Sequence, residues 1–204
     1  MTWTALTYAF GSKLTSTKMT QNQDNFTALA RGDSGAPSLG LYLPIADQDA
    51  SSSAQIDFTG FGTYSAIIIQ YTDVVPATDA SNLYFRVGTG AGPTYATNNY
   101  YKANGVGAQG QFILNEESAG DEVGNAPGQG ISGEVIIWSP KGSMSKGLWT
   151  RCSYIRSSDD IPFWHQSGGL YLDATVLTGL RFLFSSGNIA SGHFVFLGYG
   201  NDYV

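Results

Sequence analysis

The sequence predicts a mainly β protein, a sandwich or barrel, preceded by one short helix. Three observations predict it. From Gln55 onward, short β-branched and aromatic runs alternate with turn-forming clusters, the pattern of many short strands. Glycine supplies 26 of 204 residues and charged residues only 13%, the reverse of what a coiled coil needs. The chain has no strand–helix–strand rhythm and no repeat of about 20–50 residues, which argues against a parallel α/β sheet, a propeller or a solenoid.

Residues 1–12 read as extended, with aromatics alternating with threonine until Gly11-Ser12 breaks the pattern. Residues 15–31 read as the single helix. Thr15 or Ser16 can cap its start by accepting an amide hydrogen bond. No Gly or Pro interrupts Lys18 to Arg31, and Gly32 supplies the left-handed stop. Gly35 and Pro37 block any restart. Met19, Phe26 and Leu29 fall at heptad-like spacing, with Asn22 in the remaining seam position. That stripe suits one neighbour rather than a globular core, and a polar seam residue can set register. Two readings stay open: a surface helix on its own domain, or a self-association and docking helix. At about 16 residues it is marginal alone and needs a partner surface.

Residues 46–55 read as a polar loop. Strands are predicted at Ile56 to Phe58, Ser65 to Thr72, Leu83 to Val87, Gln111 to Leu114, Gly133 to Trp138, Leu148 to Ile155, Gly179 to Phe184 and Gly192 to Leu197. Turn chemistry separates them: Asp79 to Asn82, Thr89 to Pro93, Asn104-Gly105, Ser139 to Gly142 and Ser186 to Asn188. Asn104-Gly105 fits a two-residue hairpin.

Lys plus Arg is 10 and Asp plus Glu 16, a net charge of −6, so the basic footprint of a nucleic-acid binder is missing. The one cysteine, Cys152, cannot form an intrachain disulfide. It lies in a strand-like run and reads as a packing residue. The longest apolar run, Ala66 to Ile69, is far too short to span a membrane. The first ten residues lack the basic start and apolar core of a secretory signal. The expectation is a protein made in the cytoplasm and not inserted in a membrane.

Catalytic constellations are sparse. The two histidines, His165 and His193, lie near no G-x-S-x-G elbow and form no H-x-x-x-H pair. The acidic pairs Glu116-Glu117, Asp121-Glu122 and Asp159-Asp160 sit in Gly/Ser-rich stretches and read as solvated turns. A glycosidase would need two of them facing across a cleft, with Asp159 and Asp160 the first candidates. Asp47-Gln48-Asp49 lacks the Gly and terminal Glu of a calcium loop. Gly88 to Gly92 has no following helix to receive a phosphate. Arg31-Gly32-Asp33 coincides with the helix stop. The expectation is no enzyme, no cofactor and no metal site. Aromatics in polar loop tracts are the better lead: Tyr95, Tyr100 and Tyr101 in one, and Trp164 with Phe163 and His165 in another. Rings beside amides suit sugar or protein surfaces, or they plug the ends of the sandwich.

Trp3-Thr4-Ala5-Leu6-Thr7-Tyr8-Ala9-Phe10-Gly11-Ser12, followed by Leu14-Thr15-Ser16 and the Lys18 to Ala30 helix, resembles the N-terminal segment of tailed-bacteriophage virion proteins of the tail-fibre or head-fibre type. The run from Leu180 through Ser186-Gly187-Asn188-Ile189-Ala190-Ser191-Gly192 to Tyr199 resembles the closing motif of phage jelly-roll domains. Phe58-Thr59-Gly60-Phe61, Val74 to Asp79 and Leu83 to Val87 fit the same pattern. Gly90-Ala91-Gly92-Pro93 and Gly198-Tyr199-Gly200 depart from it.

The resemblance implies a jelly-roll β-sandwich over 38–204 behind an N-terminal anchor over 1–37. It implies a virion structural protein, a homotrimeric short fibre or spike held to other virion proteins through its N-terminus. The anchor and oligomerisation residues would be Trp3, Leu6, Tyr8, Phe10, Leu14, Met19, Asn22, Phe26 and Leu29. A host-surface glycan would meet Tyr95, Tyr100, Tyr101, Trp164 and His165. A capsid decoration or cement protein of the same fold and a glycan-degrading enzyme stand as alternatives.

Overall fold

The computed structural model describes residues 15–31, 42–60, 64–102, 108–115 and 120–201. The chain divides into two units, Met1–Leu43 and Pro44–Val204. The first contains helix α1, Ser16–Arg31. Thr15 caps it as the sequence predicts: its Oγ1 accepts the Lys18 N–H at 3.3 Å, and its carbonyl accepts the Met19 N–H at 3.0 Å.

The described chain after α1 is built of strands, the first beginning two residues before the second unit: β1 Tyr42–Ser53, β2 Ile56–Thr59, β3 Tyr64–Pro76, β4 Leu83–Thr89, β5 Thr94–Tyr95, β6 Tyr100–Lys102, β7 Phe112–Ile113, β8 Ile131–Trp138, β9 Lys146–Ile155, β10 Pro162–Tyr171, β11 Leu177–Phe184 and β12 Ile189–Asn201. They form two antiparallel sheets. One has the order β1-β12-β3-β8-β9-β10-β6, and the other β2-β11-β4-β5, with β7 also pairing β4. The pairings nest: β1 with β12, β2 with β11, β3 with β8, β4 with β5 and β7. The β9–β10 hairpin extends the larger sheet beyond β8.

Period-two alternation turns one face of each sheet inward. Along β9, Leu148, Thr150, Cys152 and Tyr154 are buried while their neighbours face outward. Rings from the two sheets meet in the core: Phe58 lies 5.4 Å from Phe196, and Phe182 lies 5.1 Å from Phe194 and 6.1 Å from Tyr71. This is a β-sandwich. Each such ring contributes about 1.5–3 kcal/mol by leaving water. Cys152 is a packing residue of this core, its thiol donating to the Leu114 carbonyl.

Two expectations are corrected. Residues 46–55 are not a loop; through Ser53 they belong to β1. This strand lies at the sheet edge and pairs only with β12, so polar side chains can face water while the backbone pairs on one side. His193 Nδ1 meets Asp49 Oδ1 at 2.7 Å, and Asn188 donates to the Ser52 carbonyl, fixing β1 to β12. The Trp164 tract is not a loop either. It is β10, paired with β9 over its whole length. Its Gly169 is required: a Cβ there would lie 2.2 Å from the Tyr101 carbonyl oxygen and 2.6 Å from the Phe112 ring. The Asn104-Gly105 hairpin lies outside the described residues.

Candidate functional site

Of the predicted anchor residues, Trp3, Leu6, Tyr8, Phe10 and Leu14 lie outside the described residues. Met19 and Phe26 are exposed on α1, and Asn22 is half-buried. Leu29 has a helical backbone, and its side chain lies outside the description. The buried polar residue of the helix is Asn25, whose Oδ1 accepts from Gln21 Nε2 at 3.2 Å.

The predicted ligand-binding set does not come together. Tyr100 is 1% exposed and belongs to the core. Its ring packs on Tyr171 at 5.1 Å, and its hydroxyl accepts the Val87 N–H at 2.7 Å. Burial pushes that hydroxyl's pKa up. Tyr101 is half-buried in β6. Tyr95 is half-buried, with the Arg181 guanidinium stacked 3.8 Å from its ring centre. Trp164 and His165 are adjacent in β10 and so point to opposite faces. Trp164 is 63% exposed, whereas His165 pairs with the inward-facing Cys152.

The outer face of the five-stranded sheet is polar and covered. Asp57, Arg181 and Arg86 are in register across β2, β11 and β4, and Arg86 donates to Gln111 at 3.0 Å. Arg181 gives Asp57 two hydrogen bonds of 2.7 Å from Nε and Nη2. That fork adds geometric specificity to charge, and its hydrogen bonds are the main cause that raises the Arg181 pKa, with the Asp57 charge and the Tyr95 hydroxyl adding to it. Pro93 and Tyr95 lie over Gly179, where a Cβ would come within 2.5 Å of the Pro93 Cβ.

The outer face of the seven-stranded sheet differs. All three tryptophans among the described residues, Trp138, Trp149 and Trp164, face outward on it. The register sets out its rows. One runs Tyr199, Ala66, Trp138, Gly147, Leu170 across β12, β3, β8, β9 and β10; the next runs Leu197, Ile68, Ile136, Trp149, Gly168. Beyond them lies a mixed row: Val195, Gln70, Glu134, Arg151, Gln166. Trp164 follows, opposite Ser153 and Ser132. Two indoles lie across glycines of the next strand. A Cβ on Gly147 would sit 3.3 Å from Trp138, and one on Gly168 would sit 3.8 Å from Trp149. Arg151 pairs with Glu134 at 2.8 Å, and its guanidinium lies 5.7 Å from the Trp149 ring. Trp138 is 52% exposed, while Ile68, on the same side and outside the core cluster, is only 7% exposed beneath its neighbours.

The enzyme candidates Asp159 and Asp160 engage different partners. Asp159 pairs with Arg156, which also holds Asp121 at 2.8 Å, and Asp160 accepts from Gln129. Among the described residues no group of three or more His, Cys, Asp or Glu is placed to hold a metal ion, and no helix is long and apolar enough to cross a membrane.

The tryptophan face escaped sequence reasoning. One signal was available: Trp138 and Trp149 are out of phase with the buried residues of their strands, Val135 and Ile137 in β8 and Leu148, Thr150, Cys152 and Tyr154 in β9. No protein-family model matches the chain, and no curated protein matches it significantly.

Proposed function

We propose that the protein is a structural protein of a bacteriophage virion, a subunit of a homotrimeric short fibre or spike. Its N-terminal unit docks to other virion proteins, and its β body contacts the host surface. The observation that carries this reading is the outward set of Trp138, Trp149 and Trp164 on the seven-stranded sheet, Trp138 and Trp164 more than half exposed, on a body whose other sheet is closed by polar pairs. A sandwich that presents exposed tryptophans on one sheet face is suited to be one part of an assembly. The nested pairing supports the jelly-roll reading, since a jelly roll folds two Greek keys into two sheets. The closing run that resembles phage domains falls on β11, the Ser186 to Asn188 turn and β12.

Trp164 is the remaining candidate for a host glycan, beside Ser153 and Gln166. Many weak sites on one particle would give strong attachment. A second reading, a capsid decoration or cement protein, is favoured by one observation: the exposed tryptophans lie on a sheet face rather than at loop tips, as side-on packing requires.

Two measurements test the proposal. Mass spectrometry of purified phage particles from the encoding host should find the chain at a fixed copy number; its absence from particles ends the proposal. Sedimentation should give a trimer for the full chain and a monomer for a chain beginning at Ser38. Trimers from both would move assembly from the N-terminal unit to the β body.

A further inference from the structure

We propose that the pocket at the end of the seven-stranded sheet, lined by Tyr64, Ser65, Ser139, Lys141 and Gly142, binds an acidic sugar residue through its carboxylate. The inference rests on the proposed contact between the β body and a host surface. It names the sugar class and a site separate from Trp164.

The pocket is built into the fold. Ser65 and Ser139 stand one position beyond the Ala66–Trp138 pair of β3 and β8, and the Ser139 N–H donates to the Ser65 carbonyl at 2.9 Å. The turn that follows is tied down from several directions. The Gly142 N–H donates to the Ser139 carbonyl and the Leu177 N–H to the Pro140 carbonyl, each at 2.9 Å, and the buried Lys146 holds the Gly142 carbonyl. A Cβ on Gly142 would lie 3.1 Å from the Ser139 Cβ. The space left is about 170 Å³. Sites that enclose a whole small molecule measure about 300–1,000 Å³, so this one takes a single residue of a longer ligand.

Its donors are unengaged. Among the described residues, the Tyr64 hydroxyl, the Ser139 hydroxyl and the Lys141 ammonium have no hydrogen-bond or ion-pair partner. Burial raises the Tyr64 pKa, so its hydroxyl stays protonated and able to donate. No carboxylate stands among the described lining residues, although the molecule carries a net charge of −6. A free cation in a pocket without an acid is a point of attraction for an anion.

The chemistry of the lining selects among anions. One cation matches one negative charge. A carboxylate carries one at neutral pH, whereas a phosphate monoester carries about −1.5 to −2. No arginine is among the described lining residues to grip a phosphate with two parallel bonds. Serine and tyrosine hydroxyls both donate and accept, as sugar hydroxyls do. Exposed aromatic residues adjoin the pocket in the chain and in the ladder. Trp138 precedes Ser139 and is 52% exposed; Tyr199, also exposed, accepts the Ser65 hydroxyl on its carbonyl at 3.1 Å. Such rings suit the neighbouring sugars of a chain.

The test titrates the full chain with oligosaccharides ending in galacturonate, glucuronate or sialate, and with the methyl ester of each, which keeps the sugar and loses the charge. Calorimetry should show binding of at least one acid, with its ester on the order of 10-fold weaker, as for loss of a charge-assisted hydrogen bond. Added salt should weaken the acid more than the ester. Lys141→Gln should weaken the acid by about the same 10-fold and leave the ester unchanged. The Lys141 ammonium has no partner among the described residues, so this variant should keep the wild-type melting. Ser139 has a φ of 52°, which glycine adopts freely. Ser139→Gly should therefore also fold, and it should weaken acid and ester alike. Trp164→Ala should change neither.

Wild-type affinity for the acid in Lys141→Gln overturns the inference, as does an ester that binds as tightly as its acid. Inorganic phosphate that displaces the acid at equal or lower concentration assigns the pocket to phosphate and does the same. Acid binding that is lost in Trp164→Ala and kept in Lys141→Gln moves the sugar to β10 and also overturns it. If none of the acids binds at millimolar concentration the site fails, while the chain's presence in purified particles would leave the virion reading standing. Lys141-dependent binding by a chain absent from particles would end the virion reading and keep the site.

Discussion

Lys146 is fully buried at the start of β9, where a lysine is costly unless its charge is matched. Its Nζ donates to the Gly142 and Met144 carbonyls, so it holds the turn that joins β8 to β9. Burial lowers its pKa, and the Asp173 carboxylate works against that. Asp173 is itself kept low chiefly by the Thr175 N–H at 2.7 Å. A lysine whose folded pKa lies below its unfolded value of about 10.4 leaves the unfolded chain holding more protons between the two. Stability from this group therefore rises with pH across that alkaline window. Lys146→Met should lose this slope and about 1–3 kcal/mol, since the Gly142 and Met144 carbonyls lose their charged donor. Urea melts from pH 8 to pH 10.5 would check both; an unchanged slope would assign the alkaline dependence to other groups.

At the scale of elements, β5 pairs with β4 and also packs closely over two glycines of its sheet. Pro93 and Tyr95 lie on Gly88 and Gly179, and a Cβ on Gly179 would meet the Pro93 Cβ at 2.5 Å and the Tyr95 hydroxyl at 3.1 Å. Gly179→Ala should lift β5, break the Tyr95–Arg181 stack and cost about 1–3 kcal/mol. Hydrogen exchange would show it as lost protection at Ala96, whose N–H donates to the Val87 carbonyl at 2.9 Å, with protection in β8 and β9 retained. The same contact explains part of what the sequence could not tell. Strands with in-phase apolar residues (β3, β4, β8, β9, β11 and β12) were legible, as were α1 and its Thr15 cap. β1 was not, because an edge strand needs apolar side chains on few positions. β10 was not, because Gly168 and Gly169 read as a break until the approach of β6 is known. Tyr100 sat in a polar tract, yet its partners Val87 and Tyr171 are distant in sequence. The tryptophan face was hidden for the same reason: its rows exist only once five strands are placed in register.

Across the whole molecule, β12 is the strand on which closure depends. It lies between β1 and β3 and sends Ile189, Phe194 and Phe196 into the core. At about 1.5–3 kcal/mol for each buried side chain, these three alone match much of the usual net stability of about 5–15 kcal/mol. Losing β12 would also leave β1 with no neighbour. The contacts it makes are distant: Asn188 reaches Ser52 across 136 positions, and His193 reaches Asp49 across 144. Arg181 of β11 reaches Asp57 across 124. Loop closure must precede such contacts, so refolding should fall in the milliseconds-to-seconds range of non-local β proteins. A chain ending at Ser186 should show no cooperative melt, whereas a chain beginning at Ser38 should keep the wild-type refolding rate and, at concentrations dilute enough for both to be monomeric, its melting midpoint. Stopped-flow fluorescence and calorimetry on both truncations would decide it. Native-like refolding without β12 would mean that the nested pairing is not the source of cooperativity. A slower or weaker Ser38 chain would mean that the first 37 residues take part in folding the β body.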